Sequence, residues 1–348
     1  MPVFPDSFHL PLGAPVAILP DRPSYEPSGL RFGFTDDKKG LVAGRCTAGT
    51  WGTAVILRLC VVLVSMLSML APVRAEVVVR DDTGETLRLK QPARRIISLA
   101  PHITELVFAA GAGDRLVGVT SYSDYPEAAK KLPVVGGYST LDLEAIVALK
   151  PDLVIAWQTG NSPAHVGKLK ALGLPVFINQ PNRILDVATS LERIAELGGT
   201  AEAGRAAASA FRARHAELRS RYGDRSRVRM FYEIWNVPLR TVSGEHLISD
   251  VIQLCGGVNV FADLPQLAPT VAAEAVLSVN PEAIVASGMD EARPEWLDQW
   301  KRWRELTANA RDNLFFIPPE MIQRHTPRIL DGAERLCKHL ETARGRRR

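Results

Sequence analysis

The chain has 348 residues, 46% of them apolar, and 42 Lys and Arg stand against 38 Asp and Glu for a net charge of +4. That apolar share is enough for packed cores, and so modest a charge, with no basic stripe, argues against nucleic acid as a partner. Much of the excess sits in the terminal run RGRRR, Arg344–Arg348, whose plain reading is a solvated tail.

The first 75 residues are expected to lie outside the fold, as an N-terminal extension plus signal peptide. Residues 1–45 are rich in Pro and Gly without a period, and a start assigned too far upstream is the simplest account of them. Cys60–Ala71 (CVVLVSMLSMLA) is an apolar run of signal-peptide length, preceded by Arg45 and Arg58. Val73-Arg74-Ala75 closes it with small residues around an Arg, so cleavage is expected before Glu76, with a retained membrane anchor as the alternative. About 270 residues then remain, two lobes of ordinary domain size, in an oxidising compartment. Cys46 and Cys60 belong to the leader. Cys255 and Cys337 are left and are expected to bond, two buried free thiols being the alternative.

Residues 76–181 read as an N-terminal α/β lobe. Glu76–Leu89 (EVVVRDDTGETLRL) alternates around an Asp-Thr-Gly turn, a hairpin signal. Arg95–Ala100 is an apolar strand with Pro101 and His102 in the loop at its carboxyl end, and Thr104 is the expected N-cap of the next helix. Leu116–Thr120 is a strand leading into the aromatic loop SYSDYP, Ser121–Pro126, and Pro133–Val135 is a short strand. GGYSTLD, Gly136–Asp142, precedes a helix opening at Glu144; Leu153–Trp157 is a strand with a polar exit, WQTGN, and Leu174–Ile178 completes the sheet.

Residues 182–226 read as connecting helices. Ile184–Gly198 is amphipathic, and Ala201–Tyr222 (AEAGRAAASAFRARHAELRSRY) is built from the strongest helix formers, with Ala207, Phe211, Leu218 and Tyr222 on one face. Such a helix spans roughly 30 Å, the width of a small domain. Residues 227–340 repeat the α/β scheme, and 341–348 are the basic tail. In this second lobe Val228–Ile234 is a strand with Trp235-Asn236 at its exit, and Thr241–Ser243 is extended. A helix over His246–Leu254, a strand over Ala283–Ala286, an amphipathic helix over Trp296–Leu306, a strand over Phe315–Ile317 and a closing helix over Arg328–Leu340 follow.

The two lobes look like copies. LDLEAIVALKPDLVIAW, Leu141–Trp157, and VAAEAVLSVNPEAIVAS, Val271–Ser287, each place a Glu (Glu144, Glu274) seven residues before a Pro (Pro151, Pro281), then an acid and an apolar run. The pattern reads as a short helix, a Pro that stops it and a buried parallel strand. The predicted fold is therefore two mainly parallel α/β lobes joined by a single long helix, with a ligand cleft between them.

Ligands of open α/β sheets bind beyond the carboxyl ends of the strands. Those exits carry Pro101, His102, Tyr122, Tyr125, Tyr138, Trp157, Trp235, Glu320 and Arg324, and five of the twelve Trp and Tyr residues lie among them. Aromatics in polar loops mark binding more than core packing. No G-x-S-x-G, H-E-x-x-H, Walker A or C-x-x-C occurs, so no catalytic residue, cofactor or metal is expected and capture is the reading rather than chemistry. His102 and His325 come into question as metal ligands only if the lobes bring them together.

From Arg94 to Leu340 the chain resembles the periplasmic vitamin B12 (cobalamin) binding proteins of ABC importers, through IISLAPHITELVFAAG, GVTSYSDYPEAAKKLP, LDLEAIVALKPDLVIAWQTGN, DVIQLCGGVNVF and RHTPRIL. The resemblance implies a monomer that holds the corrin edge-in between its lobes through Tyr122, Tyr138 and Trp157, with Arg324 and Glu320 from the second lobe. It also implies a Cys255–Cys337 pair, and Glu144 and Glu274 as the carboxylates that dock onto arginines of the permease whose ATPase drives transport. Where those proteins carry a second-lobe Trp this chain has Ala268, and Trp235 is placed to fill the gap. GGYSTLDLE also fits the pattern in which heme-binding relatives carry an iron-ligating Tyr, which makes heme the alternative ligand and a ferric siderophore the next.

Overall fold

The computed structural model describes residues 76–137, 140–288 and 292–347. The expected leader, with its expected cleavage site near Ala75, and Tyr138 lie outside the described residues. A hairpin opens the described chain: β1 (Val77–Arg80) pairs antiparallel with β2 (Thr86–Leu89). Its turn is held by the Asp81 carboxylate, which accepts from the Thr83 and Glu85 amides at 2.9 and 3.0 Å.

The first lobe is a parallel sheet of β3 (Ile96–Ser98), β4 (Leu116–Val119), β5 (Leu153–Trp157) and β6 (Val176–Asn179), in the order β4-β3-β5-β6. The second is a parallel sheet of β7 (Val228–Glu233), β10 (Gly257–Asn259), β11 (Ala283–Ala286) and β12 (Leu314–Phe316), in the order β10-β7-β11-β12. A two-residue ribbon, β8 (Trp235–Asn236) with β9 (Leu239–Arg240), projects from the end of β7. In both sheets the first strand lies between the second and third, and the fourth is outermost. The repeat legible in the sequence is thus a repeat of topology, and the near-continuous apolar strands follow from burial on both faces.

Helices cover the sheets: α1 (Pro101–Ala109), α2 (Leu143–Ala148) and α3 (Pro163–Ala171) in the first lobe. The second carries α6 (Leu247–Leu254), α7 (Ala273–Val279), α8 (Thr307–Ala310), α9 (Pro319–Ile322) and α10 (Ile329–Gly345). Between them run α4 (Ile184–Gly198) and the long α5 (Ala201–Tyr222). These two pack closely because Gly204 has no side chain: a Cβ there would stand 2.1 Å from that of Ala195. Phe211, Leu218 and Tyr222 bury the expected stripe of α5, with Ala207 half-buried beside them.

Alternation along each central strand divides the core. Ile96 and Met230 face a cluster that runs from the first lobe through α4 and α5 into the second, whereas Ile97 and Phe231 face separate outer clusters. The outer clusters hold Ile146 of α2 and Val276 of α7, so these two short helices sit in equivalent places on the two lobes.

Cys255 and Cys337 form a disulfide, joining the end of α6 to α10. Closing a loop of this length contributes about 4 kcal/mol in the chain-entropy model. Three expectations are corrected. Thr104 is not an N-cap: α1 starts at Pro101, whose fixed φ suits the first helical position, and Thr104 is buried inside the helix on Ser98 and Ser123 at 2.9 and 3.0 Å. Trp296–Leu306 is not an amphipathic α-helix but 3-10 turns over Glu295–Arg302, because packing of Trp300 onto Phe231 and Glu233 overrides local propensity. The basic run is not a free tail. The closing helix reaches Gly345, Arg344 donates to the Cys255 carbonyl at 2.7 Å, and Arg347 pairs with Glu282 at 2.8 Å.

Candidate functional site

Pro101 at the start of α1 aims the helix's first turn at the end of β3, which puts His102 at the sheet's carboxyl edge and not in a loop. Trp157 ends β5 beside it, with the rings 5.2 Å apart and edge to face. The exit W-x-x-G-N explains itself here. Asn161 accepts from the Trp157 amide at 2.7 Å and donates to the Leu99 carbonyl at 2.9 Å, binding the β5 exit to the β3 exit. Gly160 lies under the indole, where a Cβ would come within 1.8 Å of the ring.

The second lobe meets this edge with His325, which follows α9. Its ring is 5.5 Å from that of His102, 6.4 Å from that of Trp157 and 6.2 Å from that of His246. The two lobes do bring His102 and His325 together, yet among the described residues no group of three or more His, Cys, Asp or Glu side chains could hold a metal ion. All three imidazoles are held neutral. Burial, aided by His325 and Arg324, puts His102 well below its ordinary value. Burial pushes His246 down to about 3 and His325 down to about 4. His246 Nδ1 also accepts from the Ile248 amide at 3.1 Å as the N-cap of α6, which places its proton on Nε2.

An ion-pair cluster ties the lobes next to this contact. Glu105 of α1, with a side chain only 2% exposed, accepts from Arg324 at 2.8 Å and from Arg328 at 2.7 and 2.9 Å. Arg324 also reaches Asp124 at 2.6 Å and the Tyr122 carbonyl at 3.2 Å, and Arg328 lies 4.1 Å over the Tyr125 ring. The SYSDYP loop is therefore held by the second lobe's arginines while its own rings face outward: Tyr122 is 74% exposed and Tyr125 47%. Tyr122 takes a left-handed φ of 65°, uncommon for a residue with a side chain.

Of the residues singled out in the sequence, the structure groups Pro101, His102, Tyr122, Tyr125, Trp157 and Arg324 around the meeting of the two lobes. Trp235 stands on the β8–β9 ribbon, part-exposed, its Nε1 donating to the Val237 carbonyl at 2.8 Å. Glu320 is half-buried on α9, and Glu144 and Glu274 are exposed on the first turns of α2 and α7. Glu105, Asp124, Arg328 and His246 escaped the sequence reading. Their nearest signal was Glu105, a carboxylate inside the apolar helix TELVFAA, since such a group is rarely buried without a partner. A groove of about 1060 Å³, lined by Arg183, His215, Arg219, Asp250 and Val258, lies against α5 and holds none of these residues.

A family model described as a periplasmic binding protein matches residues 96–321. The vitamin B12-binding protein of Vibrio cholerae is 40% identical over 253 residues, 72% of this chain and 91% of that relative. The vitamin B12-binding protein of Yersinia pestis is 40% identical over 254 residues, covering 72% and 87%. The crystal structure of the periplasmic vitamin B12 binding protein BtuF of Vibrio cholerae has a TM-score of 0.67 at 39% identity, covering 73% of this chain and 98% of that one. The periplasmic heme-binding protein RhuT from Roseiflexus sp. RS-1 shares the fold, with a TM-score of 0.64, 22% identity and coverage of 72% and 99%. With its two α/β lobes, its long connecting helix and a family match over most of its length, the chain belongs to the periplasmic binding proteins.

Proposed function

We propose that this chain captures cobalamin in the periplasm and delivers it to the permease of an ABC importer. The observation that carries the reading is 40% identity with vitamin B12-binding proteins over nine tenths of the Vibrio cholerae relative's length. The exits add a chemical reason. Tyr122, Tyr125, Trp157 and Trp235 offer flat apolar faces with polar tips, which suit the edge and amide side chains of a corrin. His102 stands beside Trp157, just after Pro101. Glu320 comes from α9 of the second lobe, Tyr138 would add a further ring, and Arg324 holds the second lobe against the SYSDYP loop. The cobalamin is transported cargo and not a cofactor, and the protein acts as a monomeric carrier rather than an enzyme.

Delivery is assigned to Glu144 and Glu274. Both are exposed, one on each lobe, and a matched pair of charges gives register and encounter rate on a surface of basic groups. Export through a signal peptide cut near Ala75 puts the mature chain where the permease faces it. The test is uptake of radiolabelled cyanocobalamin in cells deleted for their own cobalamin-binding protein. Expression of this chain is expected to restore uptake, and the double variant Glu144→Ala, Glu274→Ala is expected to fail while still binding cyanocobalamin. Absence of rescue together with hemin uptake would assign the chain to heme instead.

A further inference from the structure

The two exposed glutamates ride on helices of six and seven residues, α2 and α7, far too short to be stable alone. Something must hold each helix at a fixed angle if its Glu is to meet a partner in register. In the first lobe Arg95, at the entry to β3, donates from Nη2 to the Leu149 carbonyl at 2.6 Å and from Nε to the Lys150 carbonyl at 3.2 Å. In the second lobe Arg229, near the entry to β7, donates from Nη2 to the Val279 carbonyl at 2.6 Å and from Nη1 to the Asn280 carbonyl at 3.4 Å.

These carbonyls are equivalent: they stand five and six residues after Glu144 and after Glu274. Each pair closes the carboxyl end of its helix, where intrahelical donors run out. The reciprocal bond is duplicated as well. Asp152 accepts from the Arg95 amide at 2.8 Å, and Glu282 accepts from the Arg229 amide at 3.1 Å. Lys150 and Asn280 both take a left-handed φ, 47° and 42°, just before Pro151 and Pro281. Ile146 and Val276, fully buried, pin the middle of each helix to its sheet. The same latch therefore appears twice; in the first lobe it lies at the entries of β3 and β5, whose opposite, carboxyl ends carry His102 and Trp157.

We propose that Arg95 and Arg229 are positioning residues for permease docking, acting through Glu144 and Glu274 by clamping the helices that carry them. The inference rests on the docking role assigned above. A short helix hinged at one end lets its Glu wander, and two-point docking suffers because both carboxylates must fit at once. Cobalamin capture does not depend on the clamp, since both latches lie at the strand entries and the ligand exits at the strand ends.

The test uses the chain loaded with cyanocobalamin and a cobalamin-importer permease–ATPase complex in lipid nanodiscs, with capture measured by interferometry. Arg95→Ala and Arg229→Ala are each expected to weaken capture about tenfold while leaving cyanocobalamin affinity within about twofold. Arg95→Lys, which keeps the charge and one donor, is expected to recover part of the loss. Adding Arg95→Ala to Glu144→Ala is expected to cost little beyond Glu144→Ala alone, because the clamp acts through that carboxylate. If Arg95→Ala does not fold, Arg95→Gln carries the same comparison. Normal capture by the Arg variants alongside weak capture by Glu144→Ala would overturn this inference alone. Normal capture by Glu144→Ala and Glu274→Ala would overturn the docking role and the clamp with it. A parallel loss of cyanocobalamin affinity in the Arg variants would reduce the latch to a structural part and overturn the inference.

Discussion

The His102 ring of the first lobe and the His325 ring of the second lie 5.5 Å apart, both buried and both neutral. His246 stands behind His325 at 6.2 Å, and Arg324 adds positive charge on the His102 side. At this point the lobes meet through imidazoles whose burial disfavours protonation.

Acid should therefore loosen the contact. Folded values of about 3 for His246 and 4 for His325 lie below the unfolded value of 6.5, so the unfolded chain takes up protons first as pH falls. Stability is complete above about 6.5 and is lost as pH drops toward 3, by on the order of a few kcal/mol for each group. Urea melts between pH 7.5 and 4 are expected to show His325→Gln with a shallower decline than the native chain. Identical slopes would remove the imidazoles from the explanation.

Glu233 runs in the opposite direction. Burial pushes it up to about 8 from 4.5, and Trp300 donates to its carboxyl oxygen at 2.7 Å. A raised carboxyl contributes stability that is full below about 4.5 and is lost as pH rises to about 8. Glu233→Gln keeps the acceptor for Trp300 without the charge. It is expected to be more stable than the native chain at pH 9 by a few kcal/mol and close to it at pH 4.5, read from thermal melts at both values. A destabilised variant at pH 9 would contradict the assignment.

The Glu105 carboxylate holds two arginines of the other lobe. Removing its charge takes from Arg324 and Arg328 the carboxylate they share, leaving Asp124 as the remaining carboxylate on Arg324 among the described residues, and breaking a buried pair in this way costs about 3 kcal/mol. Glu105→Gln is expected to lower the urea midpoint accordingly. A change below about 0.5 kcal/mol would mean that solvent already screens the cluster.

Gly160 is fixed by the Trp157 indole and not by a strained backbone. A methyl group there would collide with the ring, so Gly160→Ala is expected to displace Trp157 and to cost about 1–3 kcal/mol. Cyanocobalamin affinity should fall with it, by about tenfold, in calorimetry. Unchanged affinity would remove Trp157 from the site.

Much of this was legible in the sequence, for reasons that differ residue by residue. The Glu-to-Pro spacing around Glu144 and Glu274 repeats because each lobe needs a short helix, a stop and a buried strand in that order, and the two sheets share one topology. The α5 stripe was legible because Phe211, Leu218 and Tyr222 follow helical spacing. Trp157 stood out because a strand of four apolar residues ends on an aromatic before a polar turn. What stayed hidden depends on contacts between distant segments. Nothing local in RHTPRIL says that Arg324 and Arg328 reach back to Glu105, more than 200 residues earlier. Likewise, no pattern near Trp300 announces Glu233, and Pro101 reads as a loop residue until the helix it starts is seen.

The central claim is that the strand exits around Trp157 hold a corrin, and the most direct measurement is calorimetric titration of the chain from Glu76 with cyanocobalamin, run beside a visible-absorption titration with hemin. The account predicts tight one-to-one cyanocobalamin binding that weakens at least tenfold, as an order of magnitude, in Trp157→Ala, and no Soret shift with hemin. A Soret shift that disappears in Tyr138→Phe, with no heat from cyanocobalamin, would contradict it.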